Sequence, residues 1–199
     1  MTLCIDYIDY FASFYSIGGL NSLVDARIHI YFEYMDVELE NIWSLVSPLS
    51  NVRFLCLEYG FVKALDTYNL EYKLPIFRNL NHLQLGCQGV YSWNKGIMAE
   101  IDEQHERYLM LTREEIESWS KTQVIPSCLR FHLKRIIIEE YLQTEWELEM
   151  VKYFLRNASV LEELLVVCKT TEPLADKIQL GRALQELPRG SMTCSINVE

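Results

Sequence analysis

Val52-Arg-Phe-Leu-Cys-Leu57, Leu80-Asn-His-Leu-Gln-Leu85 and Leu133-Lys-Arg-Ile-Ile-Ile138 share one pattern, L-x-x-L-x-L with aliphatic substitutions. Leu161-Glu-Glu-Leu-Leu-Val166 repeats it, and Leu23-Val-Asp-Ala-Arg-Ile28 follows it more loosely. With the middle apolar residue as anchor, the units fall at Ala26, Leu55, Leu83, Ile136 and Leu164, separated by 29, 28, 53 and 28 residues. The gap of 53 is two periods, which predicts a further weak unit near residue 109. Leu109-Met-Leu111 stands there, although Glu106 occupies its first apolar position. Leu3-Cys-Ile5 reads as a truncated first unit.

One such unit cannot bury its own apolar face, so neighbours must stack into a continuous core. In each L-x-L the outer two side chains point inward and the middle one outward. A period in the twenties with this pattern is that of leucine-rich repeats, each supplying one short strand. The expected fold is therefore α/β: an irregular leucine-rich-repeat solenoid with a parallel sheet, residues 1–123, closed by a C-terminal module over 124–199. The irregularity follows from Gly60, Gln88 and Tyr141, which stand where the repeat would carry Asn or Cys. The outward row of the sheet is Arg27, His29, Phe54, Cys56, His82, Gln84, Tyr108, Met110 and Arg135. Aromatic, Met and Arg side chains exposed together make a protein-contact composition, so this row is the candidate binding surface. Ile137, Leu165 and Val167 are too apolar for open water and are expected to be covered.

The 199 residues carry 18 Lys+Arg against 28 Asp+Glu, a net charge of −10. Such a chain is not expected to bind nucleic acid, which needs a basic surface to displace counterions. No stretch approaches 18 apolar residues, so no membrane partner is expected. Asp6 and Asp9 interrupt the apolar N-terminus, which also lacks a basic flank, unlike a secretory signal. The six cysteines are scattered and never form Cys-x-x-Cys; they read as small buried hydrophobes in an intracellular chain, cytoplasmic or nuclear. No nucleophile elbow, H-E-x-x-H or glycine-rich phosphate loop occurs, so no enzyme and no cofactor is expected. Cys128 and His132 are four apart, but Pro126 and the following strand argue against a helix that would bring them together on zinc.

Between the strands, 93–121 holds seven Asp or Glu residues, with Thr112-Arg-Glu-Glu115 as a possible capping box within it. Thr144-Glu-Trp-Glu147 is a better one, opening a helix to about Asn157 along Leu148, Val151, Phe154, Leu155 and Ala158. Glu145, Glu147 and Glu149 suit its N-terminal end. A second helix is expected over about Leu174–Leu187, with Leu174, Ile178, Gly181 and Leu184 on one face and Pro188 as stop. Alternation at Met192, Cys194, Ile196 and Val198 predicts a final half-buried strand. Glu139-Glu140 and Glu162-Glu163 read as solvated acids beside strands.

Val124-Ile-Pro-Ser-Cys-Leu, His132-Leu-Lys-Arg-Ile-Ile-Ile and Glu147-Leu-Glu-Met-Val-Lys-Tyr-Phe-Leu-Arg-Asn-Ala together resemble the FBD domain of plant F-box proteins. Val160-Leu-Glu-Glu-Leu and Leu187-Pro-Arg-Gly-Ser-Met-Thr-Cys-Ser-Ile resemble its closing part. Leu20-Asn-Ser-Leu-Val-Asp-Ala and Leu74-Pro-Ile-Phe-Arg-Asn-Leu-Asn-His-Leu are similar to the repeats that precede FBD domains, while the region from Trp93 to Leu111 departs most. The resemblance implies a substrate receptor of a Skp–cullin–F-box ubiquitin ligase with an unknown client protein. Such receptors open with an F-box beginning Leu-Pro, and no such segment stands before Leu3. Binding to a Skp-type adaptor is therefore not expected of these residues alone. The alternative is a degenerate or decoy repeat protein without a ligase role.

Overall fold

The computed structural model describes residues 3–10, 23–31, 46–57, 76–86, 125–169 and 171–199, the backbone only for 3–10 and 29–31. Among these residues seven strands form one open sheet in chain order: β1 (Leu3–Tyr10), β2 (Leu23–Tyr31), β3 (Phe54–Leu57), β4 (His82–Leu85), β5 (Arg135–Tyr141), β6 (Glu163–Cys168) and β7 (Ser195–Val198). Every neighbouring pair is parallel. The chain is thus α/β, compatible with a repeat fold.

The register is the one the anchors predict. Ala26, Leu55, Leu83, Ile136 and Leu164 lie side by side, with Ile5 and Ile196 extending the row at either end. A second row runs Ile28, Leu57, Leu85, Ile138, Val166 and Val198. A one-residue slip would turn both rows outward, so burial of the aliphatic set fixes the pairing. The first apolar position of each unit, at Val52, Leu80, Leu133 and Leu161, is also buried. Just ahead of the strands the amides of Arg53, Asn81, Lys134, Glu162 and Ser195 each bond the preceding unit's carbonyl at 2.7–3.0 Å, extending the ladder.

The structure corrects the sequence at the double gap. Leu83 pairs directly with Ile136, so no strand near Leu109 lies between β4 and β5. A unit built there would set the Glu106 carboxylate in the first apolar seat of the repeat, where burial without a partner is costly. Tyr108 and Met110, like Thr112–Glu115, lie outside the described residues, and the row has no seat for them between His82 and Arg135. The N-terminal unit is not truncated in its strand: β1 runs eight residues, with Leu3 opposite Leu23.

Helices return the chain between strands. A 3-10 turn covers Ser47–Asn51, and α1 (Ser127–Phe131) forms despite Pro126, which sits at its N-cap, where no helical N–H is required. α2 (Glu145–Asn157) begins at the expected capping box: Glu147 N–H and Thr144 Oγ1 meet at 3.4 Å, and Thr144 N–H donates to Glu147 Oε2 at 2.9 Å. Of the expected stripe, Val151, Phe154, Leu155 and Ala158 are buried and Leu148 is half-buried, and Trp146 and Met150 join them inside. α3 (Leu174–Gln185) buries Leu180 and Leu184, leaving Leu174 and Ile178 exposed. It turns Gly181 toward Val198 of β7, so packing on the last strand, not the densest apolar line, sets its rotation.

The segment between α3 and β7 is tied down by three residues of the Leu187-Pro-Arg-Gly-Ser stretch. Arg189 donates to the carbonyls of Gln185 at 2.6 Å and Cys194 at 3.0 Å. Ser191 Oγ, buried, donates to Leu161 O at 2.6 Å. Gly190 N–H donates to Leu155 O at 2.7 Å, and a Cβ on Gly190 would stand 2.7 Å from Arg156 O. Gly190→Ala should therefore lower the unfolding free energy by about 2 kcal/mol, the usual scale for forcing backbone apart in a packed region. A wild-type urea midpoint would show that this contact yields. Met192, expected in the final strand, is instead exposed in the turn before it.

Candidate functional site

The outward row carries a chain of cross-strand contacts. Asp25, Phe54, His82, Arg135, Glu163 and Ser195 are successive neighbours across β2 to β7, and Arg27, Cys56, Gln84, Ile137, Leu165 and Asn197 form the next row. Arg27 Cζ lies 4.8 Å above the Phe54 ring, a cation–π distance. Phe54 and His82 rings are tilted at 50° with centroids 6.4 Å apart. Arg135 Nε sits 2.6 Å from Glu163 Oε2 as an ion pair, although its N–H is not aligned for a hydrogen bond. Asn197 Nδ2 reaches the other Glu163 oxygen at 3.5 Å.

Arg27, Phe54, His82, Gln84 and Arg135 are thus brought to one face, each half-buried. Cys56 is not part of that surface: it is only 1 % exposed, shielded by larger neighbours despite its outward register. His29 of β2 pairs with Ile8 of β1, and its side chain lies outside the described residues. Ile137, Leu165 and Val167 are half-buried and not fully covered, so the candidate face continues into an aliphatic patch on β5 and β6. Burial holds the His82 imidazole below its usual pKa, with the Arg135 charge acting the same way and Glu163 and Asp25 opposing. His82 is therefore uncharged at neutral pH. Glu162 and Glu163, expected as solvated acids, are cross-strand partners of Lys134, at 2.7 Å, and Arg135.

Sequence reading missed one polar centre. Glu147 is only 1 % exposed, and its carboxylate accepts from Leu142 N–H at 3.1 Å, Thr144 N–H at 2.9 Å and Thr144 Oγ1–H at 2.8 Å. Burial raises its pKa, against the lowering effect of these hydrogen bonds and of Lys169. The loop it gathers carries positive φ at Glu140 (53°) and Gln143 (60°), conformations that cost free energy for residues other than glycine. The phenol of Tyr141 beside it is pushed upward by burial and by the Glu147 charge. The capping box was the legible signal; the burial was not. This centre organises backbone and has no open face for a substrate.

Among the described residues no group of three His, Cys, Asp or Glu side chains is placed to hold a metal. Cys128 is buried and His132 exposed, and the short helix α1 does form there. Cys56, Cys128, Cys168 and Cys194 are buried, as small hydrophobes are. Burial pushes the thiols of Cys128, Cys168 and Cys194 upward in pKa, which keeps them protonated and unreactive.

Residues 122–166, spanning α1, β5, α2 and the start of β6, match the FBD family. The chain resembles the plant F-box/FBD/leucine-rich-repeat family. One F-box/FBD/LRR-repeat protein of Arabidopsis thaliana is 28% identical over 200 residues, 96% of this chain and 44% of the relative. A second is 25% identical over 203 residues, and an F-box protein of the same plant is 28% identical over 211. The chain spans about half the length of the curated relatives it matches, from 42% to 46% in these three. No solved structure matches it. The FBD match places the Glu147 centre and the Arg135–Glu163 pair inside or at the edge of a shared sequence segment.

Proposed function

We propose that this chain is a non-enzymatic protein-recognition module, a leucine-rich-repeat solenoid ending in an FBD segment. In this reading it holds an unknown client for a Skp–cullin–F-box type ubiquitin ligase, in the cytoplasm or nucleus. The observation that carries it is the composite outer face, where Arg27, Phe54 and His82 from three strands meet the half-buried Ile137 and Leu165. A cation-backed aromatic beside aliphatic side chains suits an interface anchor. The names of the relatives support the ligase connection, since adaptor docking belongs to an F-box. These 199 residues alone then bind client but no Skp-type adaptor, and an F-box joined upstream supplies the second contact.

The test is a fusion of an F-box to Met1, expressed in plant cells with quantitative proteomics. Proteins depleted by the wild-type fusion should be spared by the Phe54→Ala fusion, because exposed aromatic anchors typically cost about 2 kcal/mol or more when removed. Phe54→Ala should leave the melting curve nearly unchanged, since the ring is half-buried on the outer face. If no protein declines in a Phe54-dependent manner, the client-recognition reading fails. If Phe54→Ala unfolds the chain, the ring is core and the surface has been misplaced.

A further inference from the structure

The two ends of the strands differ in charge. The segments leading into β3, β4 and β5, residues 46–53, 76–81 and 125–134, contain Arg53, Arg78, Arg130 and Lys134 and not one carboxylate, in a chain of net charge −10. Where β5 leads into α2, by contrast, stand Glu139, Glu140, Glu145 and Glu149. Helix direction reinforces the polarity. α2 runs back from the trailing ends of the strands, placing acids at its N-terminus and Arg156 at its C-terminus.

The leading segments are also neighbours in space. Asn81 N–H bonds Arg53 O, Lys134 N–H bonds Asn81 O, and Asn79 Nδ2 reaches Asn51 O at 3.5 Å. Successive units are therefore stacked at about 4.8 Å, the spacing of paired strands. Arg53, Arg78 and Arg130 are all exposed. Lys134 is held by Glu162 at 2.7 Å, which closes the basic run on the β6 side. Two apolar side chains stand in the same segments: Ile76 is 63 % and Phe131 60 % exposed, with Arg130 Cζ 5.3 Å from the Phe131 ring. Exposed apolar side chains beside polar or charged ones mark an interaction site more often than isolated exposed residues do.

We infer that this corner, formed by Arg53, Arg78, Arg130, Ile76 and Phe131, docks an acidic peptide segment of a partner protein that carries an apolar residue. It is separate from the outer face of the sheet, since it lies ahead of the strands, and does not depend on the ligase reading. Charge complementarity selects the partner. The arginines fork onto carboxylates, the apolar pair accepts one side chain, and the chain's overall negative charge repels acidic partners elsewhere.

The test uses the full 199-residue chain and a short fluorescein-labelled peptide of alternating glutamate and leucine, read by anisotropy. Binding is expected at low salt and should fade as salt rises. The combined charge reversal Arg53→Glu, Arg78→Glu and Arg130→Glu should weaken it about tenfold or more, the sum of three exposed charge contacts. Phe131→Ser should weaken it with the melting curve unchanged, and Lys152→Glu on α2 should leave it as it was. Absence of binding, or binding indifferent to the triple reversal, overturns the inference. So does preferential binding of a single-stranded oligonucleotide through the same arginines. Binding that appears only after the acids of residues 100–117 are neutralised would also overturn it, because the corner would then belong to the chain's own acids.

Discussion

Ile136→Ala is expected to lower the unfolding free energy by about 4 kcal/mol, near the upper part of the range for truncating a large core aliphatic. Ile136 is fully buried, at 0 % exposure, between Leu83 and Leu164 in the middle of the sheet. Its loss leaves a void that the rigid ladder on either side cannot close. Leu83→Ala should cost less, about 1–2 kcal/mol, because Leu83 is half-buried although it occupies the same place in the repeat. From the pattern alone both would be expected to cost about 2–5 kcal/mol. Chemical denaturation of the two variants checks this. Equal midpoints for them would mean that the sheet's central register differs from the one described.

Glu147→Ala should cost about 3 kcal/mol, although a surface helix-cap acid would cost far less. The substitution removes half the capping box and strands the Leu142 and Thr144 amides, and each buried donor left without a partner costs about 1–3 kcal/mol. It also releases the turn in which Glu140 and Gln143 hold positive φ. A pH series separates charge from hydrogen bonding. Burial raises the Glu147 pKa above the usual 4.5, so the folded state resists ionisation of this group. The part of its stabilisation that is linked to this shift is complete below 4.5 and is lost as pH rises through the higher folded value. The wild type should therefore lose stability relative to Glu147→Gln over that interval. A wild-type advantage that stays constant with pH would show that burial does not shift the carboxyl.

The double gap shows where pattern and structure part. Spacing by itself determined that Ala26, Leu55, Leu83, Ile136 and Leu164 share a row, because only one register buries every aliphatic pair at once. It also determined the Thr144 cap, a contact between residues three apart that needs nothing from the rest of the chain. The same arithmetic placed a strand near Leu109, yet β4 pairs with β5 directly, since period counts residues and cannot tell a stacked unit from an excursion.

Which apolar residues of a helix are buried, and which outward residues of a strand are exposed, was settled only in three dimensions. Of the stripe Leu174, Ile178, Gly181 and Leu184, α3 buries Leu184 and sets Gly181 against β7, but it leaves Leu174 and Ile178 exposed and turns Leu180 inward instead. Cys56 alternates as a surface residue and is buried because its neighbours on the outer face are larger. Glu147 carries the charge of a solvated acid and is enclosed because the β5–α2 turn closes over it. Sequence fixes periodicity and local caps, since both act between residues near in the chain. Burial depends on what the neighbouring unit presents across the ladder, and that is a property of the stacked whole.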